Sequence, residues 1–295
     1  MFNKACLTKV GCLVAIAGAL LIPTTAKATA TTPSVSNTAS PQFLIDWDKI
    51  KNWNPSKPGG SFQAGKGTVD INFELGKDVK FVSFENSGVT PSISSVLNGS
   101  QGNSDKSLHM QIDAKQVGLT KGNNSMNMTT SFKGFGGSLT GVSFNLFDID
   151  ISQQSWQDRV IVKGFLGDQV VAANFTPTFG FYSNTNKKST VDRVDDYTLD
   201  GINGLSDNDN GDKGTVGVTF TSAIDRFELI FTDGDNITNT TTNFNPGSHG
   251  IGIGDIRYAG VSKAVPEPTA VVGLLVFGAF GVNSLRKRKQ QTVEQ

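Results

Sequence analysis

From Val69 the chain alternates apolar and polar residues with the two-residue period of an extended strand: Val69, Ile71 and Phe73 on one side, Asp70, Asn72 and Glu74 on the other. Val79 to Phe84 follows after Gly76, and the two runs read as a hairpin. Leu108, Met110 and Ile112 alternate with His109, Gln111 and Asp113 as a half-buried strand. The clearest run is Leu139 to Ile149, where Val142, Phe144 and Leu146 share one face. That face changes around Asp148, as expected of a bulge or of a strand leaving the edge of its sheet. Arg159 to Phe165 and Gln169 to Phe175 flank Leu166-Gly167-Asp168, whose Gly-Asp pair suits a tight hairpin turn. Phe179 to Tyr182 and Val191 to Leu199 carry weaker strand patterns. Thr215 to Phe220 and Ile224 to Phe231 form a further pair, and Ile251 to Tyr258 closes the series.

The intervals between these runs read as loops: Pro55 to Gly67, the Ser/Gly/Asn-rich 85–106, the Asp/Asn run at 206–212, and Thr232 to Ser248. Phe43 to Trp53 fits either a short helix or a strand entering the sheet. Roughly ten strands with no crossover helix predict an all-β fold: a two-sheet antiparallel sandwich, with a closed barrel as the alternative. Periodicity does not separate a jelly-roll order from other sandwich orders. The strands run without a linker-like break, so residues 43–260 are expected to form one domain.

Both ends depart from this pattern. Lys4 and Lys9 precede an almost continuously apolar stretch, Val10 to Ile22, and Ala26-Lys27-Ala28 or Ala28-Thr29-Ala30 supplies a small-x-small cleavage pattern. Residues 1–30 therefore read as a signal peptide, helical and removed by signal peptidase, with 31–42 as a flexible linker. Without it the composition changes. Both cysteines, Cys6 and Cys12, fall inside the signal, so the body has no disulfide, no thiolate nucleophile and no Cys-ligated zinc. The chain is formally neutral, yet residues 31–264 hold 19 basic and 24 acidic groups, a net of −5. A body of that sign without a basic patch is not expected to bind nucleic acid.

Candidate chemistry is sparse. Asp148 and Asp150 sit at i and i+2 near Asp158, and Asp255 stands at a strand in Gly252-Ile253-Gly254-Asp255, with glycines on both sides of Ile253. Such carboxylates supply the hard oxygen ligands of a structural Ca2+ site, with a solvated turn as the plain alternative. Asp207, Asp209 and Asp212 lack EF-hand spacing. His109 and His249 are the two histidines, read as strand-edge and loop residues, and no G-x-S-x-G elbow accompanies them. Glu85 and Asp148 are the acids open to a polysaccharide-active hydrolase, though nothing in the sequence selects them. Aromatic residues in or beside loops, Trp156 and Tyr182 foremost, with Trp47 and Trp53, fit a carbohydrate-binding platform.

The C-terminal region carries the most specific motif. Val265-Pro266-Glu267-Pro268-Thr269 is followed by the apolar stretch Ala270 to Val282 and by the basic cluster Arg286-Lys287-Arg288-Lys289. All three parts, in this order within residues 265–290, closely resemble the PEP-CTERM sorting signal; 291–295 is a polar tail. The resemblance implies export to the envelope or beyond, transient anchoring in the membrane through a C-terminal hydrophobic helix, and processing near Pro-Glu-Pro by an exosortase-like enzyme. It also implies association with extracellular polysaccharide. Thr269 to Val282 is shorter than the roughly 17–25 residues of an ordinary span, in keeping with a temporary anchor. The basic cluster would stay on the cytoplasmic side. The segments Gly141 to Asp150, Asp158 to Gly167 and Ile251 to Ile256 resemble β-sandwich domains found with such signals, including cyanobacterial-type members. That likeness implies a jelly-roll-like sandwich and supplies no catalytic residue. The whole reads as a non-enzymatic exported surface or matrix protein, with a carbohydrate-binding module and a polysaccharide-active hydrolase as alternatives.

Overall fold

The computed structural model describes residues 42–84, 88–100, 105–115, 124–152, 154–202, 211–237 and 245–262. Two sheets account for most of them, and every pairing between named strands is antiparallel. Sheet A is built on β9 (Ser143–Phe147). One side of β9 carries β16 (Val216–Thr219) and then β13 (Asn174–Pro177). Its other side meets two consecutive strands, β18 (His249–Ile253) and β19 (Ile256–Tyr258). Beyond β18 lies β6 (Ser107–Ala114), which also pairs with β4 (Val79–Phe81) and β5 (Ser92–Ser94); beyond β19 lies β1 (Gln42–Ile45).

Sheet B runs in the order β14 (Val191–Arg193), β15 (Thr198–Gly201), β11 (Trp156–Leu166), β17 (Arg226–Asp233), β7 (Ser125–Lys133), β3 (Gly67–Leu75) and β2 (Gly60–Ala64). The short strands β10 (Ile151–Ser152) and β12 (Gln169–Val171) also pair with β11. A two-stranded ribbon joins β8 (Ser138–Thr140) to β20 (Gly260–Ser262).

The inward residues follow from strand period. In β11, Val160 and Val162 are buried; in β17, Phe227, Leu229 and Phe231; in β9, Phe144 and Leu146. Phe227 of sheet B stacks on Phe144 of sheet A at 4.8 Å, and Phe220 lies 6.1 Å from Phe227. Each such side chain contributes about 1.5–3 kcal/mol by leaving water. Trp47 is fully buried and its Nε1–H donates to the Gly254 carbonyl at 2.8 Å, which fastens the segment after β1 to the β18–β19 junction.

Several expectations are corrected. The sandwich is two-sheeted, antiparallel and all-β, but helices do not flank it among the described residues: at those ends it continues as strands β1 and β20. The single helical element there is a three-residue 3-10 turn, Trp47–Lys49. No helix among the described residues is long and apolar enough to cross a membrane, so the expected transmembrane helix is not found. Residues 1–30 and 265–290, on which the signal and sorting segments fall, lie outside the described residues. The runs starting at Val69 and Val79 are not a hairpin: β3 pairs with β2 and β7 in sheet B, and β4 with β6 in sheet A. Likewise β16 and β17 belong to different sheets. Alternation assigns a residue to a face; it does not choose the neighbouring strand. The 85–106 interval is more than a surface loop, since β5 pairs with β6 and Leu97 is 1% exposed.

Leu166 faces Gln169 across the two-residue turn Gly167-Asp168, with Gly167 in the left-handed region at φ 58°. Asp148 marks the change of face and has φ 66°, a conformation aspartate tolerates better than most residues. It is a crossing point, not a bulge or an edge: the chain leaves β9 in the middle of sheet A and pairs with sheet B at β10.

Candidate functional site

The period that buries the core also buries three ionisable groups. Asp158 keeps step with Val160 and Val162, Asp233 with Leu229 and Phe231, and His249 with Ile251 and Ile253, so each points into the sandwich. Asp158 and Asp233 are direct cross-strand partners on β11 and β17. Two carboxylates so placed repel unless a cation lies between them. His249, from the opposite sheet, supplies it. Its Nδ1 meets Asp158 Oδ1 at 2.5 Å, and its Nε2 lies 3.4 Å from Asp233 Oδ2. The first contact is a short hydrogen bond. The second is an ion contact without hydrogen-bond geometry.

Backbone donors complete the arrangement. Asp158 Oδ2 accepts the Asp150 N–H at 3.0 Å and Asp233 Oδ1 accepts the Gln157 N–H at 3.3 Å. Trp156 lies flat over the imidazole, 5.9 Å away and inclined by 10°, and Phe231 closes another side at 4.7 Å. Burial alone would pull the His249 pKa down. The charge of Asp233, the hydrogen bond to Asp158 and the remaining carboxylate interactions outweigh it and push the group up to about 10. The imidazole is therefore a buried cation at neutral pH.

Next to this cluster, on the other face of β11, Arg159 holds Asp200 through Nε and Nη2 at 2.7 and 2.6 Å and reaches Asp235 through Nη1 at 2.5 Å. The fully buried Gln157 links the same region: its Nε2 donates to the Gly201 carbonyl at 2.6 Å, and its Oε1 accepts the Asn236 N–H at 2.8 Å.

An Asp–His pair can orient a general base, but here the second nitrogen faces another carboxylate and the side chain has no exposed surface. Its physical effect is to tie β18 of sheet A to β11 and β17 of sheet B. His109 is sealed by a different device. It points to the outer face of β6, where Phe84 packs edge-on at 5.0 Å and Gln111 Oε1 lies 3.4 Å from Nε2. Burial lowers its pKa to about 4, against a small opposing effect of Gln111, so this ring is neutral.

Of the four acids expected to share a metal, Asp150 and Asp158 are brought together, the Asp150 N–H donating to Asp158 Oδ2 and the Asp158 N–H to the Asp150 carbonyl, each at 3.0 Å. Asp158 spends both oxygens on His249 and Asp150. Asp255 accepts the Trp47 N–H at 3.0 Å and lies 3.6 Å from Arg257. Asp150 is buried and Asp148 half-buried in the crossing segment. Among the described residues no group of three or more His, Cys, Asp or Glu side chains is arranged to hold a metal ion. Of the aromatic candidates, Trp156 covers His249, Trp47 is in the core, and Trp53 is fixed by Nε1–H donation to the Pro91 carbonyl at 2.6 Å and by stacking on Phe62. Tyr182 is half-buried beside β14, its N–H donating to the Val191 carbonyl at 2.8 Å. Glu85, Asp207 and Asp209 lie outside the described residues.

An accessible concavity lies elsewhere. The outer face of sheet A holds a polar groove of about 450 Å³ lined by Ser143 and Asn145 of β9, Gly217 and Thr219 of β16, and Asp255 and Arg257 of the β18–β19 segment. Its place was hidden in the sequence because the lining comes from three segments that only strand register brings together. The alternation of Ser143 and Asn145 with Phe144 and Leu146 was the one visible sign of it. A second hollow, about 520 Å³, lies between Lys49–Trp53 and Gly59–Phe62. No protein family model matches this chain, and no curated protein matches it significantly.

Proposed function

We propose that this chain is a non-enzymatic exported protein of the cell envelope or extracellular matrix, delivered by its N-terminal signal and processed by an exosortase-like enzyme at Pro266-Glu267-Pro268. One structural observation carries the non-enzymatic half: both histidines of the chain are buried, at 0% and 2% exposure, one neutral and the other locked between two carboxylates. With both cysteines at residues 6 and 12, inside the signal read from the sequence, the body has no thiol, and its two imidazoles are withdrawn from solvent. The export half is supported by the signal pattern and by the three ordered parts of the tail.

Intact-mass and terminal-peptide analysis of the protein recovered from envelope and medium tests this. The expected product begins near residue 29 or 31 and has lost the basic cluster 286–289. Recovery of an unprocessed chain from the cytoplasm of a host that carries a cognate exosortase would overturn the proposal.

A further inference from the structure

The polar groove on sheet A combines an ordered row of side chains with a strand glycine that the fold does not need. Register sets the row: Thr219 lies opposite Ser143, Ser143 opposite Arg257, and Arg257 opposite Phe43 of β1. One pleat along, Gly217 lies opposite Asn145, whose carbonyl accepts the Gly254 N–H at 2.9 Å. The Arg257 guanidinium sits 4.3 Å from the centre of the Phe43 ring, which lies outside the groove lining and over which Lys49 Nζ also lies at 5.5 Å, so Phe43 holds Arg257 in place. Arg257 and Asp255 are 3.6 Å apart, beyond hydrogen-bond range, so polar capacity remains on both.

Glycine in a strand interior weakens the strand and commonly marks a bulge or a point where something must approach closely. Gly217 lies within the unbroken register of β16 with β9 and β13 and has no left-handed φ. A Cβ there would meet the Thr176 carbonyl oxygen at 3.5 Å and Asn145 Oδ1 at 3.6 Å, both ordinary contacts. Gly254 differs, because its Cβ would press on the Phe147 ring at 3.1 Å. Packing explains Gly254. It does not explain Gly217, whose missing side chain keeps the groove floor open.

We propose that this groove binds a neutral saccharide. One carboxylate and one guanidinium leave it without net charge, and Ser143, Asn145 and Thr219 add hydroxyl and amide groups that both donate and accept. An anionic ligand meets Asp255 and a cationic one meets Arg257. A sugar uses both groups at its hydroxyls. This site is distinct from Trp156 and Tyr182, and it stands whether or not the tail is processed.

The test is affinity electrophoresis of the full-length chain in a sugar-free detergent, through gels containing dextran, galactomannan, xylan or mixed-linkage β-glucan, with alginate and chitosan as charged controls. At least one neutral polysaccharide should retard the protein. Gly217→Val should melt at or above the parent temperature yet lose about tenfold or more of the affinity. Asn145→Ala, which adds no bulk, should also weaken retention, whereas Trp156→Ala should leave it intact. Absence of retardation by every neutral polysaccharide, retardation confined to alginate or chitosan, or retention that survives Gly217→Val and Asn145→Ala would each overturn the proposal.

Discussion

Replacing His249 with leucine is expected to lower the unfolding free energy by about 3–5 kcal/mol, the cost of removing one partner from a buried ion cluster. The variant loses little volume but strands Asp158 and Asp233 opposite one another, at 1% and 0% exposure, without their cation. The loss should therefore come chiefly from charge. Adding Asp158→Asn and Asp233→Asn to His249→Leu keeps acceptors for the Asp150 and Gln157 N–H groups while removing both charges. That triple variant should regain about half or more of the loss. Urea unfolding of the three proteins decides the matter. A cost below about 1 kcal/mol for His249→Leu would mean that the imidazole is not holding a buried charge.

The second large effect is a stability maximum near neutrality with a different histidine behind each limb. His109 is lowered by burial to about 4 from its ordinary 6.5. Between those values the unfolded chain binds a proton that the folded chain refuses, so stability falls as pH falls. His249 is raised to about 10, so between pH 6.5 and 10 the folded protein keeps a proton that the unfolded chain has released, and stability falls as pH rises. Each limb has a limiting slope of about 1.4 kcal/mol per pH unit per group. Asp158 and Asp255, both pushed up by burial, work against the lower part of the acid limb. Asp70, lowered by Lys133 and Ser61, acts only below its ordinary 3.8. In unfolding curves taken across pH, His109→Leu should flatten the acid limb and leave the alkaline one. The His249→Leu, Asp158→Asn, Asp233→Asn variant, which leaves no stranded carboxylate, should flatten the alkaline limb and keep the acid one. Loss of both slopes in one variant would contradict the assignment.

Strand-forming runs were legible wherever one face was buried without interruption, as in Val69 to Phe73, Val142 to Leu146 and Arg159 to Phe165. Partners were not. Gly76 to Asp78 carries the chain from one sheet to the other, and a run of alternating residues looks the same whether its neighbour is ten or a hundred positions away. The buried cluster was also written in the period. Asp158, Asp233 and His249 each sit two residues from a core side chain on the same face, so strict alternation placed them inside. The sequence reads Asp233 and His249 as loop residues and Asp158 as a candidate calcium ligand, because charged side chains seldom go in unpaired and their pairing here is entirely tertiary. Ser248-His249-Gly250, with its small neighbours, has the composition of a loop and the burial of a strand. The groove was less visible still, since Ser143, Thr219 and Arg257 become neighbours only through the pairing of β9 with β16 and β19.

The inward turn of the two histidines is the observation on which the proposed non-enzymatic role rests, and it is open to a single measurement. In protein labelled at histidine, NMR titration should show the His249 ring doubly protonated up to about pH 10 and the His109 ring neutral down to about pH 4, with neither shift moving near 6.5. A midpoint close to 6.5 for either ring would contradict this, because it would place that histidine in water and within reach of a substrate.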